Sequence, residues 1–345
     1  MPGSLRKDGS RTVPETIEDV AAAAGVSRST ASRALSGHPS VRPQTRERVQ
    51  AAALRLGYQV DPVARALRAG SSGLLALVLT NLLNSSIQVI ARTVQAIGHD
   101  NGYEVLIATT ENDAERELEI VQRLNAHRID GVLVMGLGPN TELLNALHSR
   151  GCPVVAIIRL PDGVRTPSVV YDDLGAARQA AEYLLGRGHR DIALISGPET
   201  TRSGRLRHDG FAGAQRAAGT GQRAELTQRG PFTPEFGAAA MTGIISVCPP
   251  PSALVVANHE AMSGALQVLA RHRVDVPGQL SVVGIEDSEL LRYWHPAITV
   301  IDTAPQRLGE LAIATMLGQL RHEASAETSS VIDTRLIERG SVRDV

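Results

Sequence analysis

The chain has only two cysteines in 345 residues, Cys152 and Cys248, too few for a disulfide framework. Each stands beside a proline in an apolar stretch, so both read as core or loop thiols rather than metal ligands. Aromatic residues make up 3% of the chain, which leaves few rings to stack on a sugar or a base. No uncharged apolar run reaches the roughly 18 residues that a membrane-spanning helix needs. Met1 to Pro14 is polar and charged, without the apolar segment of a secretory signal. The expected location is therefore cytoplasmic.

Catalytic patterns are missing as well. Gly70-Ser-Ser-Gly73 is not a phosphate loop, and Gly136-Leu-Gly138 lacks the third glycine and acidic partner of a dinucleotide site. Ser196-Gly-Pro198 is no nucleophile elbow. His189, His208, His259 and His272 have no metal-ligand spacing and read as surface or polar-cleft residues. Neither cofactor nor metal is expected, and the chain does not read as an enzyme.

What the sequence does have is a charge asymmetry. Its net charge is -1, yet residues 1–70 carry 11 Lys or Arg against 6 Asp or Glu, and the remainder carries 24 against 30. A basic head on an acidic body draws a polyanion to the head. The length exceeds one ordinary core and predicts two or three units.

The head reads as three short helices. Thr16 caps a first helix, with Asp19 three positions on and Ile17, Val20, Ala21 and Ala24 at helical spacing. Gly25 permits the left-handed turn. Ser27 caps a second helix with Ala31, Ala34 and Leu35 inward, and Gly37-His38-Pro39 ends it. A third runs from Pro43 to Gly57. Such a set suits a helix-turn-helix, whose second helix enters the major groove. Arg28, Ser29 and Arg33 would face outward, with Ser32 near the phosphates. A plain helical hairpin with a solvated arginine face fits the same spacing.

Asp61 to Gly70 is a short helical pattern opened by Asp-Pro, too short to be stable alone. Its Arg65 and Arg68 suit phosphates and Leu67 has nothing local to pack on; an ordinary linker helix is the alternative. From Leu74 onward, apolar runs alternate with helical patterns. The strands are Leu74–Thr80, Tyr103–Thr109, Gly131–Met135, Val154–Ile158, Ile192–Ser196, Ala253–Ala257 and Ser281–Ile285. Such alternation predicts doubly wound α/β halves with ligands at the strand ends. The halves are expected to meet near residues 160 and 290, with a cleft between them.

The string from Thr16 to Ser36, with Val41 to Val49 and Leu56-Gly-Tyr58, resembles the N-terminal signature of the lactose-repressor/purine-repressor family of bacterial transcriptional regulators. Gly188-His-Arg-Asp-Ile-Ala193, Val255-Val-Ala-Asn258, Ser281-Val-Val-Gly284 and Pro296-Ala-Ile-Thr-Val300 extend the likeness over about residues 14–340. The resemblance implies an all-α helix-turn-helix head with a hinge helix, followed by an α/β periplasmic-binding-protein-like body of two doubly wound subdomains. The implied boundaries are 14–58, 59–71 and 72–340. Within the body, one subdomain takes about 72–160 plus 291–320 and the other 161–290 plus 321–340.

Carried over residue by residue, the resemblance assigns DNA contacts to Thr16, Ser27, Arg28, Ser29, Thr30, Ser32, Arg33, Arg65, Leu67 and Arg68. Leu67 is the residue that wedges between base steps in the minor groove. Effector contacts fall to Asp172, Arg207, Phe232, Asn258 and Glu286. The implied partners are palindromic double-stranded operator DNA, a small metabolite such as a sugar, and a second copy of the chain. Helix Ile87–Asn101 and the segment around Ile244–Val255 are the expected dimer surfaces, with ordinary core packing the alternative for both, and the last residues show no heptad pattern that would add a coiled-coil tetramer.

The departures from the family pattern lie in the cleft. Asn258-His259 stands where many members carry Asn-Asp, and Gly284-Ile-Glu-Asp287 where they carry Gly-Tyr-Asp-Asp. Asn81-Leu-Leu-Asn-Ser-Ser-Ile87 replaces a loop that commonly has an aspartate and two phenylalanines. The leading expectation is a repressor modulated by a metabolite. The alternatives are a regulator whose pocket takes no ligand and, further off, a solute-binding protein.

Overall fold

The computed structural model describes residues 16–35, 38–58, 71–221, 223–323 and 329–345, in two units, Met1–Ser72 and Gly73–Val345. The first holds α1 (Ile17–Ala24), α2 (Arg28–Leu35) and α3 (Pro43–Leu56). Thr16 and Asp19 form a reciprocal capping box at α1, and Gly25 ends that helix at φ +62°. Val20, Ala24, Ala31, Ala34, Val49 and Ala52 fill its core, so small residues at helical spacing let three short helices pack closely. Leu54, on the outer side of α3, is 85% exposed. The expected hinge helix, with Arg65, Leu67 and Arg68, lies outside the described residues.

The second unit begins with β1 (Leu74–Leu79), α4 (Ser85–Asp100), β2 (Glu104–Thr109), α5 (Ala114–Ala126) and β3 (Gly131–Val134). It continues through α6 (Thr141–Ser149), β4 (Val154–Ile158) and β5 (Ser168–Tyr171). There follow α7 (Asp173–Gly186), β6 (Ile192–Ser196), α8 (Arg202–Ala217), β7 (Thr227–Arg229), α9 (Pro234–Ile245) and β8 (Ala253–Val256). Next come α10 (His259–His272), β9 (Ser281–Ile285), α11 (Glu289–Tyr293), β10 (Thr299–Asp302), α12 (Pro305–Leu320), β11 (Ser330–Ile332) and β12 (Arg335–Ile337).

Two six-stranded sheets result, ordered β11-β5-β4-β3-β1-β2 and β12-β10-β9-β8-β6-β7. All pairings are parallel except β10 with β12. Alternation along β1 sends Leu75, Leu77 and Leu79 toward α4 and α12, and Ala76 and Val78 toward α5 and α6. Along β6, Ile192 and Leu194 meet α7 and α8, while Ala193 and Ile195 meet α9 and α10. Helices on both faces of each sheet make the body the two-lobed, doubly wound structure expected.

The crossings between lobes differ from expectation. The chain crosses at Asp172, at Thr303-Ala304 and at Asp333-Thr334, rather than near 160 and 290. Strand β5 therefore belongs to the first lobe and β10 to the second. The three-residue runs of β7, β11 and β12 are too short to stand out as periodic patterns. Helix α8 starts at Arg202, where Thr201 accepts a cap bond from Gly204 N at 3.1 Å.

His189 is fully buried, not a surface residue. Its Nε2 lies 3.1 Å from the Arg343 carbonyl and its Nδ1 2.9 Å from Ser252 Oγ, so it pins the C-terminal strap to the second lobe. Burial holds its imidazole below the usual range. Among the described residues no helix is long and apolar enough to cross a membrane, and no cluster of His, Cys, Asp or Glu is arranged to hold a metal.

Candidate functional site

In the first unit, α2 is organised by one hydroxyl. Ser27 Oγ accepts from Thr30 N at 3.2 Å and lies 3.0 Å from Ser29 Oγ and 2.9 Å from Thr30 Oγ1. Ala31 and Ala34 are buried beneath it. At 100° per residue, Arg28, Ser29, Ser32 and Arg33 then occupy an arc of about 140° on the opposite side. Arg28, Ser29 and Arg33 are exposed, Ser32 and Thr30 half-buried. Thr16 is exposed and bonded within its capping box. Arg28 Nε lies 2.9 Å from Glu18 Oε1, in an ion pair open to solvent on both sides. Such a pair is worth roughly 0–1 kcal/mol and yields readily to a better acceptor.

In the second unit, the strand ends of the two lobes enclose a chamber whose anchor is Arg207 on α8, 4% exposed. Its Nε donates to Asp173 Oδ1 at 2.8 Å, Nη1 donates to the Ala257 carbonyl, and both terminal nitrogens approach Glu286 Oε1 at 3.4 Å. The carboxylates outweigh the cost of burial and raise the affinity of Arg207 for its proton. Glu286 is buried at the end of β9, with its backbone at φ +78°. Ile158, which precedes Arg159 at the end of β4, sits at φ +63°. Side chains rarely adopt this conformation, and a β-branched residue least of all, so the fold imposes strain on both rims.

One contact joins the lobes through the chamber. Asn84 caps α4 with its Oδ1, accepting from Ser86 N at 2.8 Å, while its Nδ2 donates to Glu286 Oε2 at 3.0 Å and Glu260 Oε2 at 3.2 Å. Asn258 Nδ2 donates to the same Glu260 oxygen at 2.6 Å, and Asn258 Oδ1 caps α10 through Ala261 N. Across the space, Arg159 donates to Asn112 at 3.0 Å. Burial pushes the Glu286 carboxyl upward; Arg207, already engaged by Asp173, offsets this only in part, and Glu260 adds like charge.

The free space between Arg207, Phe232, Asn258, Glu260 and Arg159 is about 50 Å³. This admits a few water molecules, far less than the roughly 300 Å³ of a metabolite pocket. An outer cleft of about 290 Å³ adjoins it, sharing Arg159 and Ser203. The structure thus places Arg207, Phe232, Asn258 and Glu286 together.

Asp172 Oδ1 accepts from Gly175 N at 2.8 Å, so it caps α7, and the neighbouring Asp173 is the acid that meets Arg207. In an Asp-Asp pair at a helix start, the sequence does not say which one caps. Asn84, Arg159 and Glu260 went unselected; the Asn84-Ser-Ser start of a helix was a legible cap, but its partners across the cleft were not. Of the expected dimer surfaces, Ile244 and Ala253 to Val255 are fully buried, which removes them from any surface role.

A model of the lacI family of bacterial regulatory proteins matches residues 16–61, and one of a periplasmic binding protein-like domain matches 181–342. An HTH-type transcriptional regulator encoded in the aml 5' region of Streptomyces limosus is 33% identical over 97% of this chain and 96% of its own length. The repressor PurR of Serratia proteamaculans is 32% identical, covering 95% and 97%. Among solved structures, the CelR–cellobiose complex is 30% identical with a TM-score of 0.72, over 95% and 99% of the two chains. A lac repressor dimer bound to operator and the anti-inducer ONPF, 24% identical with a TM-score of 0.84 over 96% and 100%, shares the fold.

Proposed function

The chain belongs to the lacI family of bacterial regulatory proteins and is a sequence-specific DNA-binding regulator, not an enzyme; from that premise we propose that it represses from a palindromic operator as a homodimer, under control of a small hydroxylated metabolite in the Arg207 chamber. The observation that carries this reading is the chamber's alternation of groups. Arg159, Arg207 and Asn258 line it with donors and Glu260 with an acceptor, the kinds of group that a sugar or related polyol requires. The cellobiose complex of the 30% identical neighbour favours the same class.

Arg28 exchanges its Glu18 partner for a guanine edge, Ser29 and Arg33 flank it in the groove, and Thr16, Ser27, Thr30 and Ser32 face phosphates. Arg65, Leu67 and Arg68 are proposed to meet the minor groove as a hinge. Two heads spaced one turn apart read a palindrome where one head has too few contacts. The outer side of α4 is the proposed subunit surface. An effector enters when the lobes part enough to enlarge the chamber, and operator and effector then alter each other's affinity by one common factor.

A second reading also has an observation behind it. The Arg207 fork is already occupied and the chamber is nearly full, which suits a regulator that answers to no ligand in this chamber. Footprinting of the DNA upstream of the chain's own gene, followed by thermal unfolding with sugars, nucleosides and small acids, separates the two. Protection of a palindrome, plus a ligand shift that Phe232→Leu removes, supports the main reading. Protection without a chamber ligand supports the second, and salt-sensitive binding without a preferred site would sink both.

A further inference from the structure

The Arg207 chamber holds about 50 Å³ and the outer cleft about 290 Å³, with Arg159 and Ser203 lining both. A ligand of ordinary metabolite size therefore lies mostly in the outer cleft, with one end toward the chamber. One wall of that cleft is Gly136 to Gly138 with Arg159 to Asp162, from the first lobe. The other is Thr200 to Ser203 with Arg205, at the start of α8 in the second. The charges on these walls are unequal. Arg159, Arg202 and Arg205 stand against one carboxylate, Asp162, and Arg205 Nη2 already holds it at 3.4 Å from the opposite lobe. Arg202 is half-buried and has neither a hydrogen bond nor an ion pair among the described residues.

Arg159 is half-buried as well, and among the described residues its one bond is to the neutral amide oxygen of Asn112, at 3.0 Å. Burial weakens its hold on its proton; Glu260 restores part of that hold, and Arg207, a like charge, takes more away. Glu260 itself already receives Asn84 and Asn258. The guanidinium thus keeps N–H groups and a charge for which the chain supplies no carboxylate. A sugar hydroxyl would accept one N–H and leave the charge unmet. An oxyanion meets both, because two of its oxygens match the two N–H groups of the fork.

We propose that the effector carries an oxyanionic group, carboxylate or phosphoryl, which binds at Arg159 where the chamber opens into the outer cleft, with Arg202 on the opposite wall. The ligand class is then a sugar acid or a sugar phosphate rather than a neutral sugar. The placing of its hydroxylated part toward the chamber rests on the reading given above; the anion site does not. An anion held by Arg159 of the first lobe and Arg202 of the second ties the lobes together, as the Asp162–Arg205 pair does beside it.

The full-length protein is titrated by calorimetry at fixed ionic strength with glucuronate, galacturonate and glucose 6-phosphate, and with glucose and galactose as neutral counterparts. At least one charged sugar should bind about tenfold or more tightly than its neutral counterpart. Arg159→Gln should bring the two together, and Arg202→Gln should cost the charged sugar several-fold. Asp162→Asn, which frees Arg205, should tighten the charged sugar alone. Asp162 is 86% exposed, so this variant reads the charge of the cleft even if Arg159→Gln fails to fold. Preference for a uronate assigns a carboxylate, and preference for the phosphate a phosphoryl group. Equal binding of charged and neutral sugars, or a charged-sugar preference that survives in both arginine variants, overturns the proposal. So does the absence of saturable binding by any charged sugar at about 20 mM. Phe232→Leu keeps the two readings apart. It should weaken charged and neutral sugars alike if the chamber holds the sugar, and charged-sugar binding that is indifferent to Phe232 counts against the chamber alone.

Discussion

Replacing Arg207 by alanine tests the chamber through its energetics. The guanidinium, Asp173 and Glu286 side chains are only 5%, 3% and 8% exposed, so water does little to replace a lost partner. The substitution strips Asp173 Oδ1 and Glu286 Oε1 of their cation and the Ala257 carbonyl of a donor. Breaking a buried pair from one side costs about 3–5 kcal/mol. The adjoining 50 Å³ space lets water reach the stranded carboxylates, which favours the lower end, about 3 kcal/mol. In a body of this size that corresponds to a drop in Tm of roughly 5 °C. Urea unfolding followed by far-UV circular dichroism reads it directly. Changing Arg207→Leu, Asp173→Asn and Glu286→Gln together removes the stranded charges and should recover most of the loss. An Arg207→Ala protein within about 0.5 kcal/mol of the parent would refute the reasoning, since the fork would then not be bearing on these carboxylates.

Gly210→Ala should destabilise by about 1–3 kcal/mol in urea, because its Cβ would run into the Leu174 backbone of α7. Gly243→Ala, on an open stretch of α9, should instead stabilise by up to about 1 kcal/mol. Thr16→Ala removes half of a capping box and should cost the head about 1 kcal/mol by the same measurement. For His189 the folded pKa lies below the unfolded value of 6.5, so the unfolded chain binds the proton first and stability falls as pH drops below 6.5; His189→Gln should flatten that slope in Tm against pH. Asn84→Asp keeps the cap on α4 but sets a carboxylate 3.0 and 3.2 Å from two others, so the radius of gyration at neutral pH should rise, and fall again on acidification.

What was legible in the sequence is what is local. The Thr16–Asp19 box, the Gly25 turn and the alanines at 31 and 34 each act within a few residues, and the head follows from them. The long apolar strands declare themselves because parallel strands buried on both faces read as continuous runs. The three-residue edge strands β11 and β12 do not, and with them went the crossing at Asp333-Thr334. The chamber divides in the same way. Arg207 is found by resemblance, but the Asn84 bridge joins residues 176 and 202 positions apart, and no periodicity carries such a contact. Asp172 and Asp173 show the limit most finely, since a helix start fixes only that one of two adjacent acids caps it.

The three departures read separately along the chain turn out to be one spatial feature. Asn84-Ser-Ser, Asn258-His-Glu and Glu286-Asp-Ser come from three strand ends, and all meet at the contact between the lobes. Glu286 has one methylene more than the aspartate common in the family, and it reaches both Arg207 and Asn84. A strained backbone at φ +78° holds its carboxylate there. On the proposed reading of the chamber, an effector would have to displace this side chain or bind beside it. The three segments meet in one lobe contact, so the Asn84→Asp and Glu286→Gln proteins should both loosen it and, on the proposed reading of the chamber, both should alter ligand binding there.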